Sequence, residues 1–227
     1  MAETKTVKKP RSFPPSLAGQ CLRYSVMELL GFGRLLSPET LKAMQDGVRY
    51  HKTYQEELLQ THIVRAIEAP IKDIERGISG RIDAIIDQEG SPVVIEYKSV
   101  NPEKFSRIAA AGPPVLHWAQ LHLYLAIGAF SRGWLVVESR ESHARLVFQT
   151  EGDPFWAEWV LTRVRLAREH QQTKKLPARE ISEGCLQCDR WQRCFKTDQE
   201  RDEAVQGHPQ WRPEPPLPQE FGIRIIS

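Results

Sequence analysis

Asp83 and the run Glu96-Tyr97-Lys98 are the residues of this chain best suited to chemistry. They fall in two stretches rich in Val and Ile, residues 80–87 and 92–100, separated by Gln88-Glu89-Gly90-Ser91. Such a separator reads as a tight turn and the stretches as strands of one hairpin. A turn at Glu89-Gly90 sets Asp83 opposite Glu96, and opposed residues bring their Cβ atoms to about 4.5–5.5 Å. Two facing carboxylates repel unless something compensates them, and a divalent cation does so. The period of two along a strand turns Lys98 to the face of Glu96 and Tyr97 to the other. One face then offers two carboxylates and an ammonium group. Hard oxygen donors select Mg²⁺ or Mn²⁺. Such an ion polarises a phosphoryl oxygen and acidifies a bound water. A lysine beside it orients that water or meets developing negative charge. The chemistry is metal-assisted hydrolysis. A salt-bridged surface hairpin would carry the same residues, and the pattern D-x12-E-x-K alone leaves both readings open.

Three more groups are candidates. Gln120 and Tyr124 lie four apart in the charge-free stretch 115–130, so a helix there puts them on one face. His117 sits one turn earlier on nearly the same face. A helix following the two strands can aim these groups at a metal or a phosphate, although satisfied polar residues at a helix boundary look the same. His51 follows Gly47 in the helical stretch DGVRYHKTYQEEL and, taken alone, reads as a surface histidine. His62, His122, His143, His170 and His208 have no such context and read as structural.

The elements that must position these residues follow from patterning. Helical spacing runs over about residues 20–30 and 38–59. The segment HIVRAIEAPIKDIER alternates and is rich in β-branched residues, as a strand or bent strand pair. Residues 133–138 and 144–148 form a second strand pair, and 153–174 a helix with Trp156 and Trp159 in the core. The order gives a single α/β domain with a mixed sheet and one buried crossover helix. Its expected bounds are 15–205, between a flexible arm over 1–14 and a Pro-rich tail over 206–227.

At 227 residues, with 41% hydrophobic and 26% charged residues, the composition is that of an ordinary globular protein and excludes collagen, coiled coil and wholesale disorder. A net charge of +2 neither demands nor excludes nucleic acid, since local patches matter more than the sum. The start, MAETKTVKKPRSFPPS, lacks the apolar core of a secretory signal. No charge falls between Arg107 and Arg132, but Pro113-Pro114, His117, Gln120 and His122 there argue for a buried helix over a membrane span. A cytoplasmic protein with no membrane partner is expected.

Four cysteines, Cys21, Cys185, Cys188 and Cys194, are too few for a disulfide scaffold. Four thiolates can hold Zn²⁺ tetrahedrally or an iron–sulfur cluster. Zinc ribbons usually pair two close C-x2-C motifs, whereas here the fourth ligand is remote in sequence. Arg190, Trp191 and Arg193 sit among the last three cysteines and could shield the group or contact DNA. The other basic residues, such as Arg23, Lys104, Arg107, Lys174 and Lys175, are scattered.

Taken together, Gly47-x3-His51, Gly80-x2-Asp83, Glu96-x-Lys98 and Gln120-x3-Tyr124 resemble the RecB-like branch of the PD-(D/E)xK nucleases. The resemblance implies a restriction-endonuclease-like core. It implies that His51, Asp83, Glu96 and the Tyr97 carbonyl hold the metal, that Lys98 is catalytic, and that Gln120 and Tyr124 position DNA or the active site. The cysteine layout is similar to that of the iron–sulfur nucleases, in which one N-terminal and three C-terminal cysteines bind a [4Fe–4S] cluster. Small size without a Walker A motif resembles the CRISPR-associated exonuclease family, the fourth of the numbered Cas proteins. The implied function is a Mg²⁺- or Mn²⁺-dependent deoxyribonuclease acting on single-stranded DNA or overhangs. It would trim DNA beside the integrase of the first and second numbered Cas proteins. A phage or cellular recombination or repair nuclease, and a non-catalytic DNA- or partner-binding module, are the alternatives.

Overall fold

A computed structural model describes residues 11–34, 36–208, 214–217 and 222–226. Phe13, buried in the core, bridges to Ile78 ahead of a 3-10 turn at Pro15–Leu17. Helix α1 (Leu22–Leu30) closes on Gly31, whose φ of 81° is the left-handed conformation that suits glycine. Helix α2 (Pro38–Thr61) opens on Ser37, whose hydroxyl accepts from the Thr40 amide, with Pro38 in its first turn. Strands β1 (Ile63–Asp73), β2 (Ile78–Gln88) and β3 (Ser91–Val100) then form an antiparallel meander.

Helices α3 (Pro102–Ala111) and α4 (Val115–Gly128) carry the chain across to β4 (Arg132–Ser139), which lies parallel to β3. Strand β5 (Arg145–Glu151) returns antiparallel, and β6 (Gly222–Ile226) joins it at the sheet edge. Helix α5 (Pro154–Thr173), two 3-10 turns at Glu183–Gln187 and Trp191–Arg193, and α6 (Asp198–Gly207) lie between those two strands in sequence. Among the described residues the sheet has the order β1-β2-β3-β4-β5-β6. This is the expected α/β class, a mixed sheet flanked by helices.

Two apolar layers cover the sheet. Val94, Leu135 and Val137 face α1, α4 and α5 in one cluster with Trp118, Leu121 and Trp156. Ile95, Tyr97 and Val136 face α2 in another, with Tyr54 and Leu58. Central β3 is therefore buried on both faces from Val93 to Tyr97, which is why its sequence is a continuous Val/Ile run. Helix α4 is buried from Trp118 to Leu125, which explains its lack of charge. No helix among the described residues is long and apolar enough to cross a membrane.

The β2–β3 turn places Glu89 (φ 53°) and Gly90 (φ 80°) in the left-handed region, as a two-residue I′ turn requires. At Gly80 a Cβ would come within 2.5 Å of Pro15, so the strand can pass under the 3-10 turn only with glycine there.

The described residues add detail at three places. Within the expected arm over 1–14, Phe13 is buried and docks on β2; residues 1–10 lie outside the described residues. The tail over 206–227 includes β6, which satisfies the β5 edge; the rest of it is described only at 214–217. Helices α3 and α6 were not expected.

Candidate active site

The catalytic candidates meet where the sheet comes apart. The β2–β3 ladder runs from Gln88↔Ser91 to Ala84↔Ile95 and stops. The β1–β2 ladder passes from Ile67↔Ala84 to Ala69↔Ile82 without a pair between. Asp83 thus stands where both ladders open, in register with Glu68 on one side and Glu96 on the other. The expected hairpin register holds, but Asp83 and Glu96 form no ladder pair; the Asp83 carboxylate instead accepts the Tyr97 amide at 2.8 Å.

Helix α4 reaches this opening from one face. Gln120 Nε2 donates to Glu96 Oε2 at 3.0 Å and lies 3.0 Å from the Tyr124 hydroxyl, which donates to the Arg81 carbonyl at 2.6 Å. Lys98 Nζ ion-pairs with Glu96 Oε1. Glu96 is fully buried, and burial pushes its carboxyl up to about 8 against the pull of Lys98. Burial alone would depress the Lys98 ammonium, but the Glu96 and Asp83 carboxylates outweigh it and hold it above the usual lysine range. His117 is half-buried with its Nδ1 enclosed and without a hydrogen-bond partner; desolvation, helped by the Lys98 and Lys104 charges, holds its imidazole well below the usual histidine range.

Helix α2 reaches the opening from the other face. His51 Nδ1 lies 3.7 Å from Asp83 Oδ1. Burial holds the imidazole below its usual range, so it is uncharged at neutral pH, the form that ligates metals. Its ring stands edge-on to Tyr97 at 4.9 Å, and Tyr97 stacks on Tyr54 at 4.3 Å. The Tyr97 side chain is thus turned from the acids, as expected, leaving its main chain at the site.

Three residues the sequence reading missed also line the cleft. Glu68, at φ 50°, accepts from Gln55 Nε2 at 2.9 Å and pairs with Arg81 at 3.1 Å. Gln55 follows His51 by one helical turn, which could have marked it; nothing local marked Glu68. The cleft is open and about 690 Å³ in volume.

The four cysteines line a second cavity of about 280 Å³. None is in a disulfide. Cys21 caps the start of α1, Cys185 sits in a 3-10 turn, and Cys188 and Cys194 end the two turns. Burial pushes the Cys21 thiol up to about 11, and burial also raises Cys188 and Cys194. Cys21 feels the charge of Cys194, and Cys188 and Cys194 that of Cys185. Among the described residues no three His, Cys, Asp or Glu side chains already converge on a single-ion position. Arg190 cannot meet DNA: it is buried, pairs with Glu28 at 2.5 Å, and donates to the carbonyls of Tyr24 and Phe32. Its role is to fasten the cysteine segment to α1.

A family model for the PD-(D/E)XK nuclease superfamily matches residues 22–195. Among solved structures, an alkaline exonuclease from Laribacter hongkongensis is similar with a TM-score of 0.55 at 14% identity, covering 72% of this chain and 89% of that one. The same exonuclease in complex with dAMP matches at 0.55 and 15% identity with the same coverage. SSO0001 matches at 0.50 and 21% identity, covering 82% of this chain and 87% of its own. At these identities the likeness concerns the fold. No curated protein sequence matches the chain.

Proposed function

The chain belongs to the PD-(D/E)XK nuclease superfamily, and on that premise we propose that it is a Mg²⁺- or Mn²⁺-dependent deoxyribonuclease cutting single strands or overhangs. The observation that carries this reading is the meeting of Asp83, Glu96 and Lys98 where the sheet opens, with His51 from one face and Gln120 and Tyr124 from the other. The donor types suit a hard cation, two carboxylates, an uncharged imidazole and a main-chain carbonyl, although an ion would have to draw the three side chains closer together. Glu96 in particular is a buried acid whose charge needs a positive neighbour.

An ion held by His51, Asp83, Glu96 and the Tyr97 carbonyl would supply Lewis-acid polarisation and an acidified water. The protein groups do the rest. Gln120 fixes one Glu96 oxygen, and Tyr124 fixes Gln120. The Tyr97 amide fixes Asp83. Lys98 keeps its proton beside both acids and can stabilise negative charge growing on the phosphoryl group. Lys98→Ala should abolish cleavage by the Mn²⁺-loaded protein while fold and DNA affinity persist. A variant that cuts equally well, or a parent that cuts nothing, overturns the reading and favours a non-catalytic binding module.

We further propose that Cys21, Cys185, Cys188 and Cys194 bind a [4Fe–4S] cluster. Four thiols around one cavity, near enough to feel one another's charge, support it. With the cluster, the proposed role is trimming DNA for CRISPR adaptation in the cytoplasm beside the integrase of the first and second numbered Cas proteins. The support is the cysteine layout. Co-purification with that integrase tests it; failure to associate favours a phage or cellular recombination or repair nuclease.

A further inference from the structure

One face of α2 carries Leu41, Met44, Val48, His51 and Gln55, spaced three and four residues apart in alternation. That spacing draws a single line along a helix. Its C-terminal end is the catalytic cleft, where His51 faces Asp83 and Gln55 donates to the Asp83 carbonyl. Its N-terminal end is apolar and open: Leu41, Met44 and Val48 are 47%, 52% and 72% exposed. The same line runs on to Leu58, which with the neighbouring Tyr54 packs on the sheet. Folding thus covers the C-terminal end of the line and leaves its N-terminal end bare; from Leu41 to His51 it extends about 15 Å.

Met44 and Val48 line the same cleft as His51 and Lys98. The lining of that cleft also carries Lys52, Arg81, Lys98 and Arg140 against one carboxylate, Glu68, which pairs with Arg81. The net positive lining of the cleft suits an anionic occupant, and the exposed apolar side chains suit one that also offers flat apolar surface. Duplex DNA stacks its bases inside and presents phosphate and sugar. A single strand presents both phosphates and unstacked bases. A docked protein would shut the cleft against substrate.

We propose that the Leu41–Met44–Val48 line of α2 is the wall along which the bases of single-stranded DNA lie as the strand enters the active site, so that these side chains set the preference for single strands. This rests on the nuclease reading and names how that site chooses its substrate. The three side chains are exposed, so polar replacements leave the core intact.

Binding of a fluorescein-labelled single-stranded oligonucleotide, measured by anisotropy in EDTA, tests the wall apart from catalysis. Met44→Ser with Val48→Ser should raise the Kd for the single strand roughly tenfold, and the Kd for a duplex of the same sequence much less. Val48→Trp, which offers a stacking surface, should lower the single-strand Kd. A single-strand Kd that does not move, or a single strand and duplex that weaken equally, overturns the wall and leaves the stripe to a protein partner. If the parent binds the single strand as stated but cuts no DNA with Mn²⁺ or Mg²⁺, the nuclease reading fails while the wall stands.

Discussion

Glu96 is a fully buried carboxylate, and such a group is costly unless each oxygen is met. Lys98 meets one and Gln120 the other. Gln120→Leu keeps the volume and removes the donor. It should cost about 1–3 kcal/mol in urea unfolding and lower cleavage, because Glu96 loses its orientation. Gly47 is different. A Cβ there would find nothing nearer than an Arg140 nitrogen at 3.9 Å, so neither close packing nor φ calls for glycine within α2. Gly47→Ala should therefore stabilise by about 1 kcal/mol, seen in calorimetry as a Tm higher by roughly 2–4 °C. At this scale the pair Gln120–Tyr124 was legible because helical spacing alone decides which side chains share a face. Glu68 was not, because it faces Asp83 only through a left-handed residue in β1, and alternation of polar and apolar residues carries no trace of that.

Helix α1 joins the two ends of the chain. Glu180 accepts the Leu22 amide at the start of α1 and pairs with Arg163 of α5 at 2.8 Å. Arg190 pairs with Glu28 in the last turn of α1. Removing one partner of a buried pair strands the other, although Arg34 still reaches Glu28 at 2.9 Å. Arg190→Ala should cost about 3 kcal/mol. Burial alone would raise the Glu28 carboxyl, but hydrogen bonds from Arg190 and Arg34 hold it below the usual glutamate range. A carboxylate whose folded pKa is depressed stabilises the fold above its unfolded pKa and stops doing so as pH falls through the folded one. The stability gap between parent and Arg190→Ala, measured by urea unfolding, should therefore shrink from about pH 7 to about pH 3. Long strongly patterned elements such as α2, α5 and β3 were legible. Helices α3 and α6, ten residues each, were not, although Asn101 with Pro102, and Thr197 with Glu200, are helix-start signals. The tie from Arg190 to Glu28 spans 162 positions, and no local pattern reports a contact of that range.

Across the whole molecule, the catalytic opening and the cysteine cavity sit on different parts of one frame. The opening depends on β1, β2, β3, α2 and α4; the cavity depends on α1, the segment after α5 and Thr40 in the first turn of α2. Two routes connect them: α2 runs from Thr40 at the cavity to His51 at the opening, and α1 lies on α5, which lies on α4 with its Gln120. A group held by Cys21 and the three late cysteines closes a loop around nearly the entire nuclease core. Closing so long a loop removes freedom from the unfolded chain, and metal bound only by the folded state adds to stability. Because no described side chain is shared by the two sites, losing the group should weaken the frame before it touches the chemistry. Protein purified without oxygen should be brown and carry about four irons and four sulfides per chain. Cys21→Ala should lose most of that iron, melt at lower temperature and release the segment after α5 to limited proteolysis, yet still cut DNA with Mn²⁺ well below its own Tm. One zinc and no iron in the purified parent would replace the cluster with a zinc site. A variant that keeps its Tm and protease resistance would show instead that Arg190, Glu28, Arg163 and Glu180 hold the chain ends together unaided.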